Sequence, residues 1–245
     1  LPIANLPPAL EGLTIAHVTD LHVGRFTHGS VLERIVAETN ALEADLILMT
    51  GDLINSSLHD LSPAIDAVKS FRSHHGTFMC EGNHDLMDDA GEFRRRVAAA
   101  GIPLLVNDAT SLTIKGHKLQ LLGLRWGPPV PSPDRTVQHG EPGILASVQE
   151  VLTQADPEAF RILLAHHPHA FDYATDIPLT LAGHTHGGQL MFGEGTGFGP
   201  WMFRYWSGLY YMEKRILAVS NGVGNWFPLR TPAPAEILHL TLRKA

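Results

Sequence analysis

Residues 13–22, LTIAHVTDLH, open with an apolar run rich in β-branched side chains and end in Asp20 and His22. A run of this composition and length is typical of a buried strand. Residues 45–52, DLILMTGD, repeat the arrangement, and a helical pattern covers residues 31–42 between the two runs. A strand, a helix and a strand in this order predict two parallel strands joined by a crossover helix.

The rest of the chain extends this pattern. Ser30 and, three residues later, Glu33 predict a capping box at the start of the first helix. A proline-rich loop that includes Pro128 and Pro133 follows the predicted hairpin, and no linker divides the chain. Together the elements predict a single domain, residues 1–245, with two packed sheets flanked by helices. We predict helices over residues 31–42, 61–71, 92–100 and 144–154, a hairpin of residues 112–114 and 119–124, and further strands at residues 13–19, 45–50, 77–80, 161–165, 179–182, 216–220 and 236–242.

The composition narrows the class of protein. Hydrophobic residues make up 44% of the 245 residues and charged residues 18%, as in folded globular proteins. A net charge of −7 and the absence of a basic run longer than three residues argue against nucleic-acid binding, which needs a basic face.

No run approaches the ~18 apolar residues of a membrane span. The chain starts at Leu1 without a Met, so we expect that a signal, an anchor or an arbitrary boundary precedes it, and that the protein is membrane-associated or extracytoplasmic.

Five short polar motifs directly follow predicted strands. The carboxyl ends of parallel strands are where α/β folds place their ligand-binding loops. A single motif would carry little weight, because Asx residues at strand ends often serve turns. Five motifs with Asp, Asn and His at successive strand ends are hard to explain by packing. The motifs are Asp20-Leu21-His22, Gly51-Asp52, Gly82-Asn83-His84-Asp85, His166-His167-Pro168 and Gly183-His184-Thr185-His186-Gly187.

These residue types suit a pair of divalent metal ions. In an extended segment residues i and i+2 point to the same side, so Asp20 with His22, and His184 with His186, can each deliver two ligands into one cavity. Imidazole together with carboxylate suits Zn, Fe or Mn rather than Ca or Mg, and among these we favour Mn. Two cations ~3.5–4 Å apart need an anionic bridge and can clamp both oxygens of an in-line displacement. Asp52, alone after its strand, is the expected bridge.

In this order along the chain, the five motifs resemble those of the calcineurin-like metallophosphoesterase superfamily. The resemblance covers residues 13–242 and implies a four-layer α/β/β/α sandwich and a hydrolase of phosphoric esters. Residues 226–229, Trp-Phe-Pro-Leu, depart from the family, in which smaller residues are expected. The tail looks like the branch with bacterial YkuE- and YaeI-type phosphodiesterases, on the evidence of Trp206-Ser207-Gly208-Leu209-Tyr210, Asn221-Gly222-Val223-Gly224 and Pro234-Ala235-Glu236-Ile237.

Carried over to this sequence, the resemblance implies a role for each motif residue. His84 would protonate the leaving oxygen, with Asp85 orienting its ring, and a metal-bridging hydroxide would be the nucleophile. A role for His84 as a further metal ligand is the alternative. The resemblance places on one metal Asp20, His22 and His186, on the other Asn83, His166 and His184, and between them the bridging Asp52.

An aromatic segment and one arginine bear on the substrate. Between Met191 and Met212, aromatic residues crowd a stretch that has neither strand nor helix period. We expect about half of these side chains to lie exposed beside the site, and the substrate to be an amphiphilic phosphorylated or nucleotide-linked lipid at a membrane surface. Arg25 is a candidate phosphate ligand, with a solvated loop arginine as an equal alternative. The other functions to weigh are a phosphodiesterase of soluble substrates, a metal-binding scaffold without catalysis, and a nuclease.

Overall fold

A computed structural model describes residues 1–127, 141–193, 196–231 and 233–245, and the proline-rich loop lies outside them. In this part of the chain no helix combines the length and apolar character needed to cross a membrane. The strands are β1 (Pro2–Ile3), β2 (Thr14–Val18), β3 (Leu46–Thr50), β4 (Thr77–Cys80), β5 (Asp108–Ile114), β6 (His117–Gly123), β7 (Phe160–Leu164), β8 (Leu179–Ala182), β9 (Met191–Gly193), β10 (Thr196–Gly197), β11 (Gly208–Met212), β12 (Arg215–Val219), β13 (Leu238–Thr241) and β14 (Arg243–Lys244). The α-helices are α1 (Gly29–Ala41), α2 (Leu61–Ser70), α3 (Ala90–Ala99), α4 (Glu141–Leu152), α5 (Ala170–Tyr173) and α6 (Phe198–Met202).

The first sheet has the strand order β13-β2-β3-β4. Its last three strands run parallel, and β13 pairs antiparallel with β2. One face, with Val18, Ile47 and Met49, packs against α1, α2 and α3 in one buried cluster. The helices contribute apolar side chains at helical spacing, such as Ala64 and Val68 of α2.

The second sheet has the strand order β11-β12-β8-β7-β6-β5. Its four central strands are parallel, whereas β5 and β11 pair antiparallel with β6 and β12 at the two edges. The outer face buries Leu122 and Leu163 against Val148 and Val151 of α4 and Ala170 of α5. Each sheet therefore has its own layer of helices.

The two sheets face each other across an apolar core. Ile15 and Leu48 from the first sheet cluster with Leu121, Ile162 and Leu181 from the second, and all five are fully buried. Their neighbours along each strand point the other way, towards the helices, because side chains alternate across a strand. The layers are thus helix, sheet, sheet and helix, which confirms the predicted α/β/β/α sandwich.

The predicted strands and helices are present, with boundaries that move by a few residues. The bounds of β4 and β8 are the predicted ones, residues 77–80 and 179–182. The capping box is wrong: α1 begins at Gly29 after His28, whose side chain makes no capping hydrogen bond, and Ser30 lies inside the helix. That the whole chain forms a single domain stays a prediction.

The aromatic segment contains regular structure that its sequence does not predict. Strand β11 and helix α6 both lie between Met191 and Met212. The five residues of β11, GLYYM, do not alternate in polarity, because the strand lies at the edge of its sheet with much of both faces accessible. Backbone pairing with β12, from Gly208 opposite Val219 to Met212 opposite Arg215, defines the strand.

Candidate metal centre

The five polar motifs meet at one edge of the sandwich. They follow the carboxyl ends of β2, β3 and β4 in the first sheet and of β7 and β8 in the second. Backbone hydrogen bonds join neighbouring loops: the N–H of Asp20 donates to the carbonyl of Gly51 (3.1 Å), and the N–H of Gly183 to the carbonyl of His166 (3.1 Å). Because these strands are parallel within each sheet, residues far apart in sequence reach the same edge.

A first cluster consists of Asp20, His22, His186 and Asp52. Nε2 of His22 lies 2.9 Å from Nε2 of His186, which in turn lies 3.2 Å from Oδ1 of Asp20. Nε2 of His22 is 3.8 Å from Oδ1 of Asp20 and 3.5 Å from Oδ2 of Asp52. All four side chains are buried, and the donor atoms of Asp20, His22 and His186 lie within 4.8 Å of one another.

A second cluster consists of Asp52, Asn83, His166 and His184. Nε2 of His166 lies 3.2 Å from Oδ2 of Asp52 and 3.2 Å from Oδ1 of Asn83. Nδ1 of His184 lies 3.1 Å from the same Asn83 oxygen and 3.3 Å from Nε2 of His166. Oδ2 of Asp52 therefore belongs to both clusters.

The spacing of these donor atoms fits metal coordination. Ligand atoms bound ~2.0–2.2 Å from one ion, at tetrahedral or octahedral angles, stand about 2.8–3.6 Å from each other. The contacts in the two clusters run from 2.9 to 3.8 Å. Imidazole nitrogens, carboxylates and one amide oxygen form a mixed set of the kind that binds Zn, Fe or Mn. The residues present fit two divalent ions.

Most of these residues have a left-handed backbone. Their φ angles lie between 46° and 72°, a region that non-glycine residues seldom adopt and that costs on the order of 1–3 kcal/mol each. The extended-segment argument for the i and i+2 pairs is therefore wrong in its geometry, although both pairs do reach the site. Strain gathered at a few buried polar residues indicates a functional constraint. The left-handed residues are Asp20, His22, Asp52, His184 and His186.

Two glycines allow the loops to approach one another closely. A Cβ atom on Gly82 would lie 2.2 Å from Oδ1 of Asp52, and one on Gly183 would lie 2.3 Å from Oδ2 of Asp20. Contacts this short do not occur between a real Cβ and a neighbouring oxygen. Any side chain at these two positions would displace a candidate ligand.

The buried carboxylates attract positive charge. Burial alone would raise the pKa of Asp52, but the neighbouring His166 and His22 hold it below its ordinary value. Burial opposes a charge on His166, yet Asp52 and Asp20 raise its pKa to about 9. Burial and the neighbouring His166 hold the pKa of His184 well below its usual range, which keeps this imidazole neutral. A cation bound between the carboxylates would supply the positive charge they require.

His84 lies beside both the first cluster and the solvent-accessible cavity. Its backbone N–H donates to Oδ1 of Asp52 (2.8 Å), and its Nδ1 contacts the carbonyl oxygen of Asn55. Its ring centroid is 4.6 Å from that of His22, in an edge-on arrangement. Burial lowers the pKa of His84, although Asp52 opposes the shift.

Asp85 does not orient the ring of His84, and that prediction is wrong. Its Oδ1 accepts hydrogen bonds from the backbone N–H groups of Leu53 (2.8 Å) and Ile54 (3.1 Å). Its Oδ2 accepts one from the N–H of Gly82 (2.9 Å). The fully buried carboxylate thus joins the loop after β3 to the loop after β4, and Nδ1 of His84 binds a carbonyl oxygen instead.

Two other residues considered from the sequence lie outside the clusters. Arg25 is exposed, its guanidinium stands 5.4 Å from the ring centroid of Phe26, and it does not line the cavity. His167 is directed towards His169, with their Nδ1 atoms 3.2 Å apart. Of the adjacent pair at the end of β7, only His166 contacts Asp52.

A cavity of about 240 Å³ opens next to the clusters. Its polar lining includes six of the motif residues, Asp52, Asn83, His84, His184, Thr185 and His186. Its apolar lining comes from Met202, Phe203 and Trp226.

The sequence reasoning missed two residues that support the site. Nη2 of Arg230 lies 3.0 Å from Nδ1 of His186, and Nη1 donates to the carbonyls of Asn221 (2.8 Å) and Ala233 (3.3 Å). No motif surrounds Arg230, so only its position among apolar neighbours could have drawn notice. Asn55 contributes a backbone carbonyl, which leaves no trace in the sequence.

Comparison with known proteins agrees with this geometry. The model of the calcineurin-like phosphoesterase family matches residues 13–188. The chain is 32% identical over 254 residues to an uncharacterized metallophosphoesterase of Campylobacter jejuni, a match that covers 98% of this chain and 61% of that protein. It is 30% identical over 252 residues to a transmembrane protein with metallophosphoesterase domain from Danio rerio, a match that covers 100% of this chain and 56% of that protein. It is 30% identical over 240 residues to the phosphodiesterase YaeI of Escherichia coli, a match that covers 93% of this chain and 81% of that protein.

The chain therefore spans less than two thirds of the first two relatives. Among solved structures, a dimetal phosphatase from Danio rerio has a TM-score of 0.57 at 13% identity, over 95% of this chain and 93% of that one, which supports the fold alone. The predicted family is confirmed by the family match. With its motifs, its two-sheet sandwich and this match in agreement, the chain belongs to the calcineurin-like phosphoesterase family.

Proposed function

We propose that this protein hydrolyses phosphodiester or pyrophosphate bonds with the help of two divalent ions. The observation that carries the proposal is the position of Oδ2 of Asp52, 3.5 Å from Nε2 of His22 and 3.2 Å from Nε2 of His166. One carboxylate oxygen thus contacts a histidine of each cluster, as a bridge between two ions requires. The first cluster would hold one ion and the second cluster the other, with the ligands that the family resemblance implies. Zn, Fe and Mn all suit the donor set, and we favour Mn.

The ions, when bound, would polarise the phosphoryl group and make a water molecule nucleophilic near neutral pH. His84 is our candidate for the group that gives a proton to the leaving oxygen. Its Nδ1 faces the carbonyl oxygen of Asn55, so Nδ1 donates there and Nε2 is left for proton transfer. The alternative is that His84 binds metal, since one of its ring nitrogens lies within 4.8 Å of the donor atoms of His22 and Asp52.

Metal analysis of an Asp52→Asn variant tests the proposal. The amide can no longer bridge two ions as an anion, so we expect the variant to lose metal and to have no measurable turnover of bis(4-nitrophenyl) phosphate. Asp156→Asn is the matched control, because Asp156 pairs with Lys118 at the surface (2.7 Å). Two retained ions and near-native turnover in Asp52→Asn would show that Asp52 is not the bridge. A wild-type protein that binds two ions without hydrolysing any phosphoester would favour the metal-binding scaffold.

For the substrate, we propose an amphiphilic phosphoester such as a phosphorylated or nucleotide-linked lipid. An apolar rim of exposed side chains lies on segments that reach the cavity, and its Trp201 and Phe192 are 79% and 80% exposed. Exposed aromatic side chains suit the surface of a lipid bilayer. The rim consists of Phe192, Trp201, Met202, Leu209, Tyr211, Trp226, Phe227 and Leu229.

Co-sedimentation with vesicles of anionic phospholipid tests the lipid proposal. We expect the wild type to bind and a Phe192→Ser, Trp201→Ser double variant to bind several-fold less. Val31→Ser removes a half-exposed apolar side chain from α1 and serves as the control. If the wild type does not bind vesicles and shows no preference for long acyl chains, a soluble phosphodiester becomes the better substrate. A nuclease is disfavoured by the net charge, and a filter-binding assay with DNA at low salt would expose one.

A further inference from the structure

Two aromatic side chains flank the candidate metal centre, each beside a different part of it. The ring centroid of Trp226 lies 6.3 Å from that of His84 and 6.4 Å from that of His186. The ring centroid of Phe203 lies 5.8 Å from that of His184. Both aromatics line the cavity, so a molecule bound there would lie between them.

The loop that carries Trp226 is held in place although its side chains are exposed. The side-chain Nε2 of Gln189 donates to the backbone carbonyls of Phe227 (3.1 Å) and Leu229 (2.8 Å). At the base of the loop, Nε of Arg230 donates to Oδ1 of Asn225 (2.5 Å), and the same guanidinium contacts the metal-site loop. The loop is thus bonded at two points, and Trp226 is pre-organised beside the site.

Phe203 is held in place by contacts of its own. It directly follows the short helix α6, and its backbone N–H donates to the carbonyl of Gly199 (2.9 Å). Its ring centroid also lies 6.3 Å from that of the half-buried His167. Neither aromatic belongs to the motifs that resemble the family, so neither is explained by metal binding.

We propose that Trp226 and Phe203 are specificity-determining residues that contact different ester groups of one phosphodiester. Trp226 contacts the group that leaves, because it stands beside His84, and Phe203 contacts the group that stays on phosphorus. The assignment of the leaving side rests on the proposed function of His84. The substrate class that follows is a diester or pyrophosphate with an apolar or planar group on each side of the phosphorus.

Two chromogenic diesters separate the two roles. Bis(4-nitrophenyl) phosphate and methyl 4-nitrophenyl phosphate release the same phenolate, but they retain a nitrophenyl group and a methyl group respectively. We expect Trp226→Ala to raise KM for both substrates by about 2- to 12-fold, the range of an aromatic contact worth ~0.5–1.5 kcal/mol. Phe203→Ala should raise KM by a similar factor for the bis-aryl diester and leave KM for the methyl diester unchanged.

Controls away from the site are available. Val31→Ala and Leu145→Ala each truncate an exposed apolar side chain, and neither residue lines the cavity or belongs to the rim. Both controls should leave KM unchanged on both substrates. Calorimetry with diphenyl phosphate gives a second measurement that does not depend on turnover: both aromatic variants should bind it more weakly, and both controls should bind it as the wild type does.

The possible results separate this proposal from the proposed function. Unchanged KM and unchanged diphenyl phosphate affinity in both aromatic variants would overturn the specificity role while leaving the hydrolase intact. A Phe203→Ala effect of equal size on both diesters would overturn the assignment of the two sides. A wild type that binds diphenyl phosphate through both aromatics but hydrolyses neither diester would overturn the proposed hydrolase and leave a binding site.

Discussion

Asp85→Asn is the substitution that best distinguishes a role in the loops from a role in catalysis. The carboxylate of Asp85 accepts three backbone hydrogen bonds, from Leu53, Ile54 and Gly82, at 2.8 to 3.1 Å in a fully buried position. An asparagine oxygen can still accept from Leu53 and Ile54, but its NH₂ group then faces the N–H of Gly82. One buried donor loses its partner.

We expect Asp85→Asn to lower the free energy of unfolding by about 1–3 kcal/mol, the cost of one unsatisfied buried donor. Asp85→Ala would leave all three donors unsatisfied, at a cost of about 3–9 kcal/mol, which is much of the ~5–15 kcal/mol that typically stabilises a domain. The asparagine variant is therefore the informative one. Because Leu53 follows Asp52 and Gly82 precedes Asn83, the same variant should also bind metal more weakly.

Urea unfolding of the metal-free protein measures the first effect, and elemental analysis after dialysis measures the second. Asp88→Asn is the control: Oδ2 of Asp88 accepts one hydrogen bond from the N–H of Leu58 (3.0 Å) at an exposed site. We expect its stability to stay within about 0.5 kcal/mol of the wild type. An Asp85→Asn protein with wild-type stability and metal content, but slow turnover, would refute the loop role and restore the ring-orienting role.

Three further predictions concern the site. His84→Ala should keep both ions by elemental analysis and lose ~10²–10⁴-fold in turnover with a poor leaving group, but less with nitrophenolate; loss of an ion would make His84 a ligand. Mn²⁺ added to chelator-treated protein at 100 times its Kd should stabilise the fold by about 2.7 kcal/mol, seen as a higher Tm; an unchanged Tm would contradict a metal site in the folded chain. Arg230→Met should lower stability in urea by about 1–3 kcal/mol, because the carbonyls of Asn221 and Ala233 lose a charged donor. Arg25→Met should not, because Arg25 is exposed, and equal losses in the two variants would argue against the role of Arg230.

Fewer aromatic side chains of residues 191–212 are buried than the sequence predicts. About half of its aromatics are predicted to fill the core, yet among the described side chains Tyr205 is the one that is buried. Edge strand β11 explains part of the difference, since both of its faces remain accessible and Tyr211 is 58% exposed. A run of aromatics with no period shows only that burial is incomplete, and the neighbouring elements decide its extent.

The identities of the candidate ligands could be predicted from the sequence alone. An apolar strand and a polar residue after it are both local features, so Asp20 and Asp52 stand out without knowledge of the fold. Parallel strands place their carboxyl ends at one edge of each sheet, whereas the choice of Asn83 and His166 as ligands within their motifs came from the family resemblance. The alternation of strands and helices likewise predicted the two sheets and their helical layers.

Only the tertiary structure showed how these residues are held. The carboxylate of Asp85 and the ring of His84 both bind backbone groups. Because nearly every residue carries the same backbone groups, no sequence pattern predicts these contacts. The left-handed conformation of Asp20 follows from the loops packed around it and not from its residue type. Arg230 reaches His186 across 44 residues because a surface loop folds back over the site. Contacts of this kind depend on which loops become neighbours, and that is settled only when the two sheets have packed together.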